Sequence, residues 1–403
     1  MDRSGPAGAA SRGQDGTIDL PLVQFVRREG VIDLAWGHPD PELLPVHGLR
    51  AATAAVLDRY GAEALNYGHA AGPGPLIAWV CRRLGDVDSR APDPTDVLAT
   101  AGTSHALDQV ATLLTGPGDL CLVESPTYHL AVRILRDHPL ELRSVPFDEG
   151  GLSVDALADM LSRLRRAGRR PRLLYTVPTF HNPTGISLLP ERRTRLVELA
   201  AEEGFRIVED DAYRELSYDG PPPPSLWGIA PPGVVIRMGS FAKSLAPGLR
   251  TGFLTADEGT VARFRDGGLL DSGGGISHFT SLVVAEFARA GAYAANVEHL
   301  RDEYRLRRDA MQEELDERLP RNIRRVSPAG GYFTWLTLGR GPDLRSVLAS
   351  AESRGTSFAP GGVFHLAGGS GSRSLRLAFS RYPPAELREG VRRLAAALRD
   401  AAG

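Results

Sequence analysis

Apolar residues recur along this chain with two alternating periods. Over 48–60 and 75–84 they return every three or four positions, the spacing of one helix face. Over 97–101 and 120–124 they run almost unbroken, as in a strand covered on both faces. A helical pattern over 104–114 separates these strands, followed by a Gly-Pro-Gly-Asp turn at 116–119. The alternation continues with a helix over 154–166, a strand over 172–177, a helix over 190–203 and a strand over 205–210. Two further apolar strands are predicted at 234–238 and 249–255. Strands separated by helices imply a mostly parallel, doubly wound α/β sheet with helices on both faces. After Gly273, Gly274 and Gly275 comes a long helical stretch over 281–318, rich in Arg and Glu. Strands at 331–338 and 373–379, a helix at 344–354 and a last helix from Pro384 then suggest a smaller α+β domain. The predicted division is an N-terminal tail and arm over 1–45, a large domain over 46–280 and a small C-terminal domain over 281–403.

A length of 403 residues suits a large domain plus a smaller one. The net charge of -2 predicts no attraction to nucleic acid or an anionic membrane. The local run Arg163, Arg165, Arg166, Arg169, Arg170 and Arg172 closes an amphipathic helix, where cations suit the C-terminal dipole. Cys81 and Cys121 form neither a disulfide framework nor a metal-ligand pattern, so no metal and a cytoplasmic setting are expected. The first sixteen residues lack the apolar core of a signal peptide and read as a flexible tail. No apolar run is long enough to cross a membrane.

The cations change the picture more. Of 47 Lys+Arg residues, only Lys243 is lysine. Arginine cannot act as an amine nucleophile, whereas a desolvated lysine can lose its proton and form an imine with a carbonyl. Composition alone leaves a stray surface lysine equally open; its neighbours decide.

In an open parallel sheet, ligands bind beyond the carboxyl ends of the strands. Polar clusters fall at those places. Gly102-Thr103-Ser104 follows one strand and opens a helix, so backbone N–H groups and hydroxyls can hold a phosphate. Asn182-Pro183-Thr184-Gly185 follows another, and Glu209-Asp210-Asp211-Ala212-Tyr213 ends a third. Ser240-Phe241-Ala242-Lys243 comes next, with Arg250 seven residues on. Each alone could be an ordinary turn or helix cap. Together they describe a site for an aldehyde cofactor with a phosphate and a pyridine ring.

The motifs GTS, HNPTG, EDDAY and SFAKSLAPGLR resemble, in order and spacing, those of fold-type I pyridoxal-phosphate enzymes, specifically the class I/II aminotransferases. Within these the chain is most similar to the branch of 2-aminoadipate and kynurenine aminotransferases. The resemblance implies pyridoxal 5'-phosphate as cofactor and Lys243 as its imine partner and the general base and acid at Cα. It implies Asp210 as partner of the ring nitrogen, with Tyr213 and Asn182 as donors to the ring oxygen. Thr103, Ser104, Ser240 and Arg250 match the phosphate cup, and Tyr128 the aromatic stacked on the ring. Tyr67 matches a tyrosine that reaches the phosphate of a neighbouring subunit, implying a homodimer with shared sites. Arg376 in LRLAFS matches the fork for the substrate α-carboxylate, and Gly37 a backbone contact beside it.

Trp36 and His38 depart from the small or apolar residues usual beside the matching glycine, which makes them candidates for substrate selection. His105 and Ser281 stand where the branch often has glutamine. The expected reaction is transfer of an amino group from an α-amino acid to a 2-oxo acid. The same cofactor chemistry also admits a lyase, cyclase, deaminase or β/γ-substitution enzyme. A transcriptional regulator with an aminotransferase-like domain is not expected, since only some 30 residues precede the matched stretch. Nor is a nicotinamide-dependent dehydrogenase, since no G-x-G-x-x-G follows the first strand.

Overall fold

A computed structural model describes residues 28–401 except 89, 321, 340–342 and 367–370, together with the backbone pairing of Ser11–Arg12 with Ile18–Asp19. The remainder of the tail expected to be flexible lies outside the described residues. An eight-stranded sheet forms the larger layer. In chain order its strands are β1 (Val97–Thr100), β2 (Leu120–Ser125), β3 (Glu141–Asp148), β4 (Gly151–Leu152), β5 (Pro171–Thr176), β6 (Arg206–Asp210), β7 (Val235–Ser240) and β8 (Gly252–Thr255). Their spatial order is β1-β8-β7-β6-β5-β2-β3-β4. The pairs β7–β6, β6–β5, β5–β2 and β2–β3 are parallel. The sheet is mostly parallel, as expected; strand β8 is an exception, running antiparallel to both β7 and β1. The connection explains this: only the Phe241–Thr251 turn joins β7 to β8, too short for the helical crossover that a parallel pair requires.

Side chains alternate across the sheet as the pleat requires. Leu122, Leu174, Ile207 and Val235 pack with Leu157, Leu161, Leu196 and Val197 of helices Val154–Arg166 and Pro190–Glu203. Cys121, Val123, Tyr175, Val208 and Ile236 join a second core with Leu107 and Val110 of helix Thr103–Leu114. Both faces are therefore dry, and polar groups collect at the strand ends.

The stretch expected as one helix over 281–318 is two, His278–Arg289 and Ala292–Arg318. Gly291 separates them in a left-handed conformation, φ 77°. The second helix leads to a smaller antiparallel sheet of β9 (Arg324–Arg325), β10 (Phe333–Thr337), β11 (Ala359–Pro360) and β12 (Ser374–Ala378), in the order β9-β10-β12-β11. The segment from Ile32 crosses this layer. Ile32–Asp33 pairs with Thr356–Ser357, and the Leu34 carbonyl accepts the Ala378 N–H at 2.7 Å. That path carries residues 35–38 over the carboxyl ends of the large sheet's strands.

Candidate active site

Lys243 lies in the turn after β7 and is half-buried. Nζ donates to the Gly37 carbonyl oxygen at 3.2 Å and stands 5.9 Å from the Tyr213 ring centre and 5.4 Å from that of Tyr332. Burial first, then the Arg376 and Arg250 cations, pushes its pKa down to about 8, while Asp210 opposes them. The amine thus exchanges a proton near neutral pH, as imine chemistry and proton transfer both require.

The three consecutive acids separate by strand geometry. Both Glu209 oxygens accept backbone N–H groups, from Leu226 and Trp227, each at 2.9 Å. Asp211 pairs with Arg237 at 2.7 Å, and Arg237 is bound in turn by Asp88, which also holds Arg214. Asp210 points the other way. Its Oδ2 accepts the Tyr175 hydroxyl at 2.8 Å, while its buried Oδ1 has no partner among the described residues. Burial pushes the Asp210 pKa up to about 6. A buried carboxylate oxygen left unpaired is disfavoured unless a cationic donor completes it. A protonated pyridine nitrogen would do so.

An anion cup forms where β1 meets the helix Thr103–Leu114. Gly102, with φ 88°, turns the chain so that the first N–H groups of the helix face the site. A Cβ at Gly102 would come 3.1 Å from the Arg250 guanidinium, which donates to the Ala101 carbonyl oxygen at 2.9 Å. Ser240 caps its own turn, its Oγ accepting the Ala242 N–H at 3.1 Å. Amine, orphan acid and cup fit a phosphorylated pyridine aldehyde.

Arg376 occupies the opposite end. Its guanidinium lies between the rings of Phe333 and Phe364, 4.1 and 4.7 Å from their centres. It donates to Asn182 Oδ1 at 2.7 Å and to the Ala35 carbonyl oxygen at 2.5 Å, and its Nε is buried without a partner among the described residues. Burial lowers its pKa to about 10, so it remains cationic at neutral pH. With Asn182 Oδ1 committed to Arg376, the amide nitrogen is left to donate elsewhere. Burial drives the Tyr213 phenol well above its ordinary range, and the Asn182 side chain draws it partly back. Gly37 can have no side chain, since a Cβ would lie 2.4 Å from the Phe333 ring.

Tyr128 stands just before helix His129–Arg136, its phenol pushed up to about 12 by burial. Trp36 and His38 flank Gly37, with ring centres 6.1 Å apart and edge-on. Burial, then Lys243 and Arg381, lowers the His38 pKa to about 4, so its imidazole is neutral at neutral pH. Both ring nitrogens of His105, and the Ser281 hydroxyl, are buried without partners among the described residues. Tyr67 is not gathered into the site; it is 81% exposed.

Several contributors carried no motif. Tyr175 holds Asp210, Tyr332 faces the amine, and Phe333 and Phe364 enclose Arg376. Behind Asn182, the His181 ring stacks on Phe147 at 4.5 Å and its Nε2 lies 3.1 Å from Glu124. In a sequence each of these is one more apolar or polar core residue. The one available signal was adjacency: Phe333 follows Tyr332, and His181 precedes Asn182.

A half-buried, deprotonatable lysine opposite an uncompensated acid, both beyond the strand ends of a doubly wound sheet, defines a fold-type I pyridoxal-phosphate enzyme. Comparison makes the assignment narrower. The chain belongs to the family "Aminotransferase class I and II", whose model matches residues 29–394. It is 36% identical over 399 residues to a 2-aminoadipate transaminase of Thermus thermophilus, covering 97% of this chain and 95% of that protein. An aromatic-amino-acid aminotransferase of Thermococcus litoralis is 33% identical over 385 residues, covering 94% and 90%. Among solved structures, a multiple substrate aminotransferase from Thermococcus profundus superposes with a TM-score of 0.87 at 33% identity, covering 93% of each chain. The α-aminoadipate aminotransferase of Thermus thermophilus, complexed with N-(5'-phosphopyridoxyl)-L-leucine, gives 0.83 at 34% identity and 93% of each chain. This chain is a pyridoxal-phosphate-dependent aminotransferase acting on amino-acid and 2-oxo-acid substrates.

Proposed function

We propose that Lys243 is the residue that carries the cofactor and moves the Cα proton, and that Asp210 keeps the cofactor ring cationic. The observation that carries this is an amine whose proton is disfavoured by burial and by the Arg376 and Arg250 cations and supported by Asp210, whose second oxygen has no partner among the described residues. The bound cofactor supplies an electron sink for the carbanion left when Cα loses its proton. Arg376 would orient the substrate α-carboxylate, a task for its planar fork, with Asn182 fixing that fork. Tyr213 and Asn182 would donate to the ring oxygen and Tyr128 would cover the ring face. Thr103, Ser104, Ser240 and Arg250 would hold the phosphate. Lys243, as a neutral amine, would take the proton from Cα and hold it for return within the site, so no water-borne acid is needed.

The substrate side chain would pass Trp36 and the uncharged His38. That aromatic, neutral edge favours an aromatic amino acid over one with a second carboxylate. Leu65 and Tyr67, exposed at 70% and 81%, form an apolar loop that a second subunit would cover, delivering Tyr67 to the neighbouring phosphate cup. We place the division between N-terminal arm, large domain and small domain after residues 45 and 280. No described helix is long and apolar enough to cross a membrane, and the free cysteines Cys81 and Cys121 suit a reducing cytoplasm.

The test reads cofactor and products together. With a reactive amino acid alone, the protein should accumulate pyridoxamine phosphate and one equivalent of 2-oxo acid, and an added 2-oxo acid should restore the starting form. Borohydride should fix the cofactor to the peptide containing Lys243. Trp36→Ala and His38→Asn should change the order of preferred amino acids. Many turnovers without an acceptor, or label on the N-terminal amine, would overturn the assignment.

A further inference from the structure

Lys243 is held from a direction that the family motifs do not mark. Tyr332 sits immediately before β10 and is fully buried. Its ring faces Nζ at 5.4 Å, and its hydroxyl lies 3.2 Å from both the Lys243 carbonyl oxygen and the Tyr304 hydroxyl. Tyr304, from helix Ala292–Arg318, packs edge-on against it at 4.9 Å. The Tyr213 ring, 5.6 Å from that of Tyr332 and tilted by 66°, forms a second wall at 5.9 Å from the amine. One aromatic side chain is thus tied to the backbone of the catalytic lysine and faces its tip.

Such a tie has a use. Burial and the Arg376 and Arg250 cations all act against an ammonium at this place, and Asp210 is the group that supports it. His38, the other titratable group coupled to the amine, is neutral and adds no compensating charge. An amine that must hold a proton briefly needs further stabilisation in a site that disfavours its charge. The electron-rich faces of aromatic rings provide it for a cation within about 6 Å of the ring centre.

We propose that Tyr332 is a positioning residue which, with Tyr213, encloses the Lys243 ammonium between ring faces and steadies the amine while it holds a proton. The hydroxyl contact to the Lys243 carbonyl oxygen fixes the ring relative to the lysine backbone, and the Tyr304 contact fixes the ring from behind. The ring face acts on the charge; the hydroxyl sets the geometry.

The inference rests on the reading of Lys243 as the amine that performs the chemistry. A single lysine permits a direct test on the holoenzyme. Protein grown on 13C-lysine gives one Cε resonance, which titrates with the amine. Loading with pyridoxamine phosphate leaves that amine free. Tyr332→Leu should lower the midpoint by about one pH unit, and Tyr332→Phe by less than about 0.3. If Tyr332→Leu does not fold, phenylalanine and its mono-, tri- and pentafluorinated forms at position 332 decide the matter. They keep the ring's shape while draining its face of electron density. A stepwise fall in the midpoint with fluorination supports the aromatic box. A midpoint flat across that series, or equal in Tyr332→Leu and the unsubstituted protein, overturns it. Failure of the amino-transfer reading would appear separately, as absence of cofactor label on Lys243 with this titration unchanged.

Discussion

Replacing Asp210 with Asn should separate the protein's stability from its catalysis, with opposite signs. Burial holds the Asp210 carboxyl at about 6, against an ordinary 3.8. The folded chain therefore keeps this proton to higher pH than the unfolded chain does. The stability so gained is fully present below the ordinary value and is lost as pH rises through the folded one. Asparagine never ionises, so its variant escapes that loss. It still accepts the Tyr175 hydroxyl, and any penalty for its extra N–H is independent of pH. Both effects of shape cancel when two pH values are compared. In cofactor-free protein, the unfolding free energy of Asp210→Asn minus that of the unsubstituted protein should grow by about 2 kcal/mol between about pH 4.5 and about pH 7.5. Urea unfolding at a series of pH values measures this directly. In the loaded enzyme the same change would remove the charge proposed to face the ring nitrogen, and turnover should fall by about a hundred- to a thousandfold, as for loss of other preorganised charges. Parallel stability curves for the two proteins would refute the assignment of a strained, ionised Asp210. Near-normal turnover would refute its catalytic role and point to Asp211, despite its commitment to Arg237.

Arg376→Lys keeps a cation but cannot serve Asn182, Ala35 and a substrate carboxylate together. It should reduce kcat/KM by roughly 10- to 100-fold, the range for one lost charge-assisted hydrogen bond, with near-normal cofactor spectra. Equal efficiency in steady-state assays would reject the carboxylate fork. Tyr67→Phe should weaken pyridoxal phosphate about tenfold in equilibrium dialysis while leaving thermal unfolding of the cofactor-free subunit unchanged, because its side chain is exposed in the isolated subunit. A fully active monomer in light scattering at assay concentration would reject the shared site.

Much of the fold was legible wherever local chemistry and packing agree. Helix Pro190–Glu203 begins at a proline and ends before Gly204 in a left-handed conformation, so its limits follow from residue type. The break at Gly291 carried the same kind of signal, overridden by the continuous Arg- and Glu-rich pattern on either side. Strand β3 escaped notice because all but one of its residues are half-buried or exposed and Pro146 interrupts it, which leaves no apolar run. The direction of β8 could not be read from its apolar residues, which suit either pairing; the shortness of its turn was the better guide. At the candidate site, the residues that short motifs singled out by their chemistry were the lone lysine, the acids, the amide turn and the arginines. Tyr175, Tyr332, Phe333 and Phe364 were not. Their contribution arises only when distant segments meet, and nothing in their composition distinguishes them from core residues.

The lone lysine also bears on how the protein receives its cofactor. Pyridoxal phosphate is a reactive aldehyde, and any surface amine captures it reversibly. On an ordinary lysine-studded surface, the molecule would be shared among many adventitious adducts before reaching its place. Here 46 of the 47 basic side chains are guanidinium groups, which form no such adducts under mild conditions. The surface stays charged and hydrated, and no second side-chain amine competes with Lys243 for the incoming cofactor. Selectivity in loading is thus written across the exterior, by what has been left out of it.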